Sequence, residues 1–327
     1  MSKTLKAFSA EECEMAKLHL ATQVAHMMGR KLEEDDWNKV YCAAKDIPYA
    51  GWSNLNIDVN YGGLGVEQKL LRCSQLYGRP IKAVCGTTMM HPAATRSIRI
   101  KNTRISANRV MADVFQQYAE LIAARTETVR KKSPAVEPDM RIGWLLWEDS
   151  LVEFLYFEEQ LVAPKAQDYY AEWNVTPARG IRKASKSLWI YERRTDKKRF
   201  SVTTSAGAKI QPYFDVPSPK DPNLYYFRVQ SEVVGPDLIQ IWVSASTAKA
   251  IRQILGGLES ERVSEAIVAA AQFAGEIEIN PSRDTELAEP IQITRQAHVI
   301  FEQAWKGVSD ETRARLFLES LQGLSGQ

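Results

Sequence analysis

Three residues in one short stretch have types and spacing suited to divalent-cation chemistry on a phosphate: Asp58 and Glu67 as ligands and Lys69 beside them. They lie in Asn54-Leu-Asn-Ile-Asp58-Val-Asn-Tyr-Gly-Gly-Leu-Gly-Val-Glu67-Gln-Lys69-Leu-Leu71. If the two arms of this segment are strands, side chains alternate between faces. Val66, Gln68 and Leu70 then point one way, and Glu67 and Lys69 the other. Asp58 closes the first arm after the apolar Leu55 and Ile57, and the glycine-rich turn folds it back towards Glu67. Two carboxylates brought close together repel unless a cation sits between them. Hard oxygen donors of this kind suit magnesium, which keeps several waters and accepts phosphate oxygens. A lysine beside such a pair can steady a metal-bound water and the charge that builds up on phosphorus. Read as the start of a helix instead, Gly65 to Arg72 would still deliver Glu67 but would turn Lys69 away.

Positioning these groups requires a hairpin and something to pack it against. Asn54 to Val59 and Leu64 to Leu71 read as strands joined at Asn60-Tyr-Gly-Gly63. Ahead of them, Ser9-Ala-Glu-Glu12 has the form of a capping box opening a helix that ends near Gly29. A second helix is expected over Glu33 to Lys45. Beyond the hairpin, Thr95 to Lys101 reads as a strand and Ala107 to Lys131 as a helix, with Ser133 to Pro138 as a break. Ile142 to Leu161, rich in tryptophan, phenylalanine and leucine, is expected to be a buried helix. Ser187 to Val243 is β-rich, with one hairpin around Arg194-Thr-Asp-Lys197 and another, from Asn223 to Glu232 and Leu238 to Ser244, around Gly235-Pro-Asp237. Four helices are expected after Ser246: Thr247 to Leu258, Ser264 to Ala274, Thr294 to Trp305 and Ser309 to Leu321.

Charge is segregated along the chain although its net value is only +2. Between Glu67 and Asp113 no acidic residue occurs, while Arg72, Arg79, Lys82, Arg96, Arg99, Lys101, Arg104 and Arg109 do. A second block, Arg179 to Arg199, carries Arg179, Arg182, Lys183, Lys186, Arg193, Arg194, Lys197, Lys198 and Arg199 against Glu192 and Asp196. Two such blocks favour a polyanionic partner, because phosphate contacts dominate nucleic-acid affinity. Arg72, Arg96, Arg99, Lys101, Arg104, Arg182, Lys183, Lys186, Arg193, Arg194, Lys197 and Lys198 are the expected DNA-binding residues. Other candidates have ordinary readings. Glu33 to Asp36 suits an acidic helix start, although Glu33 or Glu34 could join a metal site. Glu158 and Glu159 read as core-edge residues, His91 as a packing residue, and Asp196-Lys-Lys198 as a polar turn. The histidines and the cysteines (Cys13, Cys42, Cys73, Cys85) lack zinc-ligand spacing, and no nucleotide-binding loop occurs.

The Asp58…Glu67-x-Lys69 pattern resembles that of the PD-(D/E)XK nucleases, the superfamily that holds most type II restriction endonucleases. In that family one strand ends in an aspartate and the next carries Glu-x-Lys. Ile57 stands where proline is usual. The resemblance implies an α/β (mixed α+β) fold, with a restriction-endonuclease-like core of mixed β-sheet flanked by helices and with helical N- and C-terminal parts. It implies a magnesium ion (Mg2+) held by Asp58 and Glu67, catalysis by Asp58, Glu67 and Lys69, sequence-specific cleavage of double-stranded DNA, and a homodimer. Residues 1–245 are then the nuclease core with its DNA-binding elements, and 246–327 a helical C-terminal region packed on it. The rival expectation is a non-catalytic DNA- or RNA-binding subunit of a defence or recombination complex. It shares the basic blocks but has no need of the carboxylate pair. At 327 residues, with 45% hydrophobic and 25% charged side chains, the chain has the composition of a globular protein. Glu11, Glu12, Glu14 and Lys17 interrupt any export signal, no long apolar run suggests a membrane span, and the unpaired cysteines suit a reducing compartment, so a cytoplasmic location is expected.

Overall fold

The computed structural model describes residues 4–27, 30–51, 57–73, 76, 98, 100, 102–181, 183–204, 210–273 and 285–325. The fold is mixed α/β. Its chain divides into two compact units, Met1–Ala7 with Ala50–Leu146 and Leu155–Tyr225, and Phe8–Tyr49 with Trp147–Phe154 and Tyr226–Gln327. Among the described residues, no helix is long and apolar enough to cross a membrane.

In chain order the strands of the sheet that carries the candidate site are β1 (Val59–Tyr61), β2 (Leu64–Cys73), β3 (Asp139–Glu148), β4 (Glu153–Gln160) and β9 (Tyr225–Arg228), adjacent in that order. The buried helix expected over Ile142 to Leu161 is therefore a pair of strands, β3 and β4. Residues 142–147 and 153–158 are buried without a break, so the centres of both strands lack the alternation that marks a half-exposed strand. Glu148-Asp-Ser150 supplies the polar break, and Leu151 takes a left-handed conformation in the turn.

A second sheet of four antiparallel strands lies within the first unit: β5 (Tyr169–Thr176), β6 (Ser185–Glu192), β7 (Lys197–Thr203) and β8 (Ile210–Pro212). The hairpin expected around Arg194 to Lys197 is the β6–β7 connection. Against one face of this sheet lies the helix Ala107–Lys132, here α3 after α1 (Ala10–Met27) and α2 (Glu34–Ala44). Its buried residues Val110, Val114, Phe115, Tyr118, Ile122 and Val129 fall on one side of the helix and pack on Leu188, Ile190 and Val202.

The second unit contains α1, α2 and a three-stranded sheet of β10 (Glu232–Val233), β11 (Leu238–Val243) and β12 (Glu289–Thr294). Its remaining helices are α4 (Ala245–Leu255), α5 (Ser260–Ala270), α6 (Arg295–Ala304) and α7 (Asp310–Ser325). The expected capping box opens α1, with the Ser9 N–H donating to Glu12 Oε2 at 2.6 Å and the Glu12 N–H to Ser9 Oγ at 3.1 Å. The second expected hairpin is only partly present. Residues 225–228 join β4, the two-residue β10 pairs with β11, and β11 takes β12 along its whole length.

Candidate active site

The β1–β2 hairpin is set by its turn. Val59, Asn60 and Tyr61 pair with Val66, Gly65 and Leu64, leaving Gly62 and Gly63 as the loop, with φ of +56° and +84°. Left-handed backbone at both loop positions is the two-residue turn that matches strand twist, and glycine adopts it without strain. One step further along this register, position 58 falls opposite position 67. Asp58 stands just beyond β1, and its Oδ2 accepts the backbone N–H of Gln68 at 2.7 Å. Its carboxylate thus takes up a donor of β2 where the ladder between the strands ends.

Glu67 and Lys69 share a face of β2, as alternation requires, and both are buried at 5% and 2% exposure. Lys69 Nζ lies 2.9 Å from Glu67 Oε1. The other oxygen, Oε2, accepts from Arg125 Nη1 at 2.6 Å. Burial alone would push the Glu67 carboxyl up, but the charges of Lys69 and then Arg125 outweigh it and hold the group below its ordinary range. Glu67 is therefore an anion. The buried Tyr118, on the same stripe of α3 as Arg125, is driven the opposite way by burial and then by the Glu67 charge, and stays a neutral phenol. Buried Arg125 Nε has no hydrogen-bond acceptor among the described residues.

Arg125 was not among the residues that the sequence pattern singled out. The signal for it is its place on the inner stripe of α3, where Tyr118, Ile122 and Val129 are apolar and buried. A charged residue at that spacing needs a partner inside.

The other face of β2 carries a separate polar chain. The Tyr156 hydroxyl donates to Glu158 Oε1 at 2.7 Å and lies 3.1 Å from Gln68 Oε1. Arg141 Nη1 donates to Glu158 Oε2 at 2.9 Å. Glu158 is thus a buried residue of β4, and Glu159 accepts from the Trp144 indole. The early acidic cluster is occupied locally. Glu33 caps α2, and Asp36 is paired with Arg30.

The expected DNA-binding residues fall into three groups. Arg96, Arg99, Lys101 and Arg182 lie outside the described residues, as do His91 and, apart from Ile98 and Ile100, the segment Thr95 to Lys101 expected to be a strand. Arg72, Arg104, Lys183, Arg193 and Arg194 are exposed. Of these exposed residues Arg194 lies 3.7 Å from Glu192 and Arg193 over the Tyr170 ring. The other three expected residues are less exposed and engaged within the protein. Lys186 donates to the Thr103 carbonyl at 2.7 Å and lies over the Trp173 ring. Lys197 pairs with Asp215 at 3.0 Å, and Lys198 sits between the rings of Trp189 and Tyr213, at 3.9 and 4.4 Å from their centres. Arg199, in the same block, bridges Glu192 and Asp215.

Among the described residues, no group of three or more His, Cys, Asp or Glu side chains is placed to hold a metal ion. The donors at the hairpin are the two carboxylates of Asp58 and Glu67, one of them held ionised. As hard oxygen donors they fit magnesium in kind. Both oxygens of Glu67 are engaged, so a cation there has to displace Lys69 or Arg125 from one of them. Comparison with family models, curated proteins and solved structures finds no match to this chain.

Proposed function

We propose that this chain is a magnesium-dependent endonuclease acting on double-stranded DNA in the manner of the PD-(D/E)XK enzymes. One observation carries the reading: Asp58 stands one step beyond the Val59–Val66 pair of a tight hairpin, Glu67 is the next residue on the other arm, and Lys69 shares the face of Glu67 and lies 2.9 Å from it. A bound magnesium ion supplies a Lewis acid for phosphate oxygens and an acidified water. Asp58 and Glu67 are the residues to hold it. Glu67 is ready for that role as an anion, and Asp58 is fixed at the end of the ladder by the Gln68 N–H. Lys69, buried and cationic beside Glu67, offers positive charge to a phosphate undergoing displacement. Exposed Arg72, Arg104, Lys183, Arg193 and Arg194 are suited to phosphate contacts along the duplex. A two-fold dimer on a palindromic site extends the analogy.

The engagement of both Glu67 oxygens favours a second reading, in which the trio is a structural ion cluster and the protein binds nucleic acid without cutting it. A mixed-sequence plasmid incubated with the purified protein, with magnesium or with chelator, separates the two. Discrete bands that need magnesium support the endonuclease. Intact plasmid that is nevertheless retarded on a gel supports the binding protein.

A further inference from the structure

Arg125 meets Glu67 with one of its nitrogens and leaves another unused. Nη1 donates to Glu67 Oε2 at 2.6 Å, whereas Nε–H, buried, has no acceptor among the described residues. An unsatisfied buried N–H costs about 1–3 kcal/mol, so such a group in a native core calls for an explanation. Countering the charge of Glu67 does not supply one, because Lys69 already reaches its other oxygen and a lysine on α3 would serve as a second point charge. A guanidinium differs from an ammonium in being a rigid planar fork, able to hold two oxygen-bearing partners on different edges at once. Arg125 is also the most accessible of the three charged residues. Its side chain is 14% exposed, against 6% for Glu67 and 3% for Lys69.

We propose that Arg125 is an oxyanion-binding residue, taking a phosphate oxygen at its Nε edge while Nη1 keeps Glu67 in place. The inference rests on the nuclease reading for the identity of its anion, a phosphate of the DNA backbone. The arrangement gives α3, through its one inward arginine, a direct part in the site.

Inorganic phosphate is the probe, used on the full chain in the presence of chelator, with chloride at matched ionic strength as control. Phosphate is expected to raise the thermal midpoint of the wild type by ~2 °C or more, as a ligand of the native state does. Arg125→Lys keeps a cation for Glu67 but lacks Nε–H, and should lose the rise. The double variant Arg125→Gln/Glu67→Gln, with no charge left in the pair, provides the same readout should the lysine variant not fold. A wild type without a phosphate-specific rise overturns the proposal, and so does an equal rise in the variants. Cleavage plays no part in this test. A rise that Arg125→Lys abolishes, in a protein that never cuts DNA, upholds the anion site and removes the nuclease. A cutting wild type whose rise survives in Arg125→Lys does the reverse.

Discussion

Burial raises the pKa of any carboxyl group, and Glu67 is 5% exposed, yet Lys69 and Arg125 hold it below its ordinary range. The folded value thus lies below the unfolded one of about 4.3. The stability that the ion cluster contributes is fully present above that pH and is lost as pH falls through the folded value. Glu67→Gln leaves the buried Lys69 and the half-buried Arg125 short of a counter-charge and should cost about 3 kcal/mol at pH 6. That gap between wild type and variant should close as urea denaturation is repeated at successively lower pH below about 4. A gap independent of pH would mean that Glu67 is not the titrating partner. Cys42 shows burial acting without compensation, its thiol pushed up to about 11. At pH 8 it should resist a thiolate-directed reagent in the native protein and react once the chain is unfolded, as peptide mapping of the labelled protein would show. Prompt native labelling would contradict its burial. Of these residues, Glu67 and Lys69 were legible in the sequence because strand alternation is local. Arg125 was not, because its role depends on which side of α3 meets β2.

Elements whose signals are local are the more legible ones. The Ser9–Glu12 box fixes the start of α1. The hairpin is where it was expected, but Asn60 and Tyr61 belong to its first strand and only Gly62 and Gly63 turn. Residues 54–56 of the expected first arm lie outside the described residues. The β3–β4 pair was less legible, because an apolar run buried on both faces has no period to distinguish a strand from a core helix. Trp144, Trp147, Phe154, Tyr156 and Phe157 are strand-favouring residues, and the polar Glu148-Asp-Ser150 between them was the better guide. Gly143 belongs to this pair and shows how closely it packs. A Cβ there would collide with Gln68 Oε1 and the Tyr156 hydroxyl. Gly143→Ala should therefore disturb the Gln68–Tyr156–Glu158 chain and destabilise the protein by about 1–3 kcal/mol. Calorimetry on the variant checks this, and an unchanged midpoint would mean that β2, β3 and β4 have room to separate.

Across the whole molecule, the basic block from Arg179 to Arg199 reads in sequence as one uniform positive segment, but its cations are not equivalent. Lys197 and Arg199 are tied to Asp215, and Lys198 is enclosed by Trp189 and Tyr213, whereas Lys183, Arg193 and Arg194 are exposed. Asp215 lies outside the block, so the pairing could not be read from the block's own composition. Likewise, the grouping of α1 and α2 with the C-terminal helices depends on contacts between distant parts of the chain. If the block grips DNA, Lys183→Ala should lower the slope of log affinity against log salt by about one. Lys197→Ala should leave that slope nearly unchanged, and equal slopes for the two variants would mean that the ion pairs open on binding. The central claim, that Asp58 and Glu67 hold magnesium for DNA cleavage, is tested most directly by Asp58→Asn and Glu67→Gln, which keep side-chain shape while removing charge. Cleavage of plasmid in magnesium and retention of duplex DNA in chelator are measured on the same preparations. Both variants should bind DNA as the wild type does and fail to cut it, whereas magnesium-dependent cutting at the wild-type rate by either variant would contradict the claim.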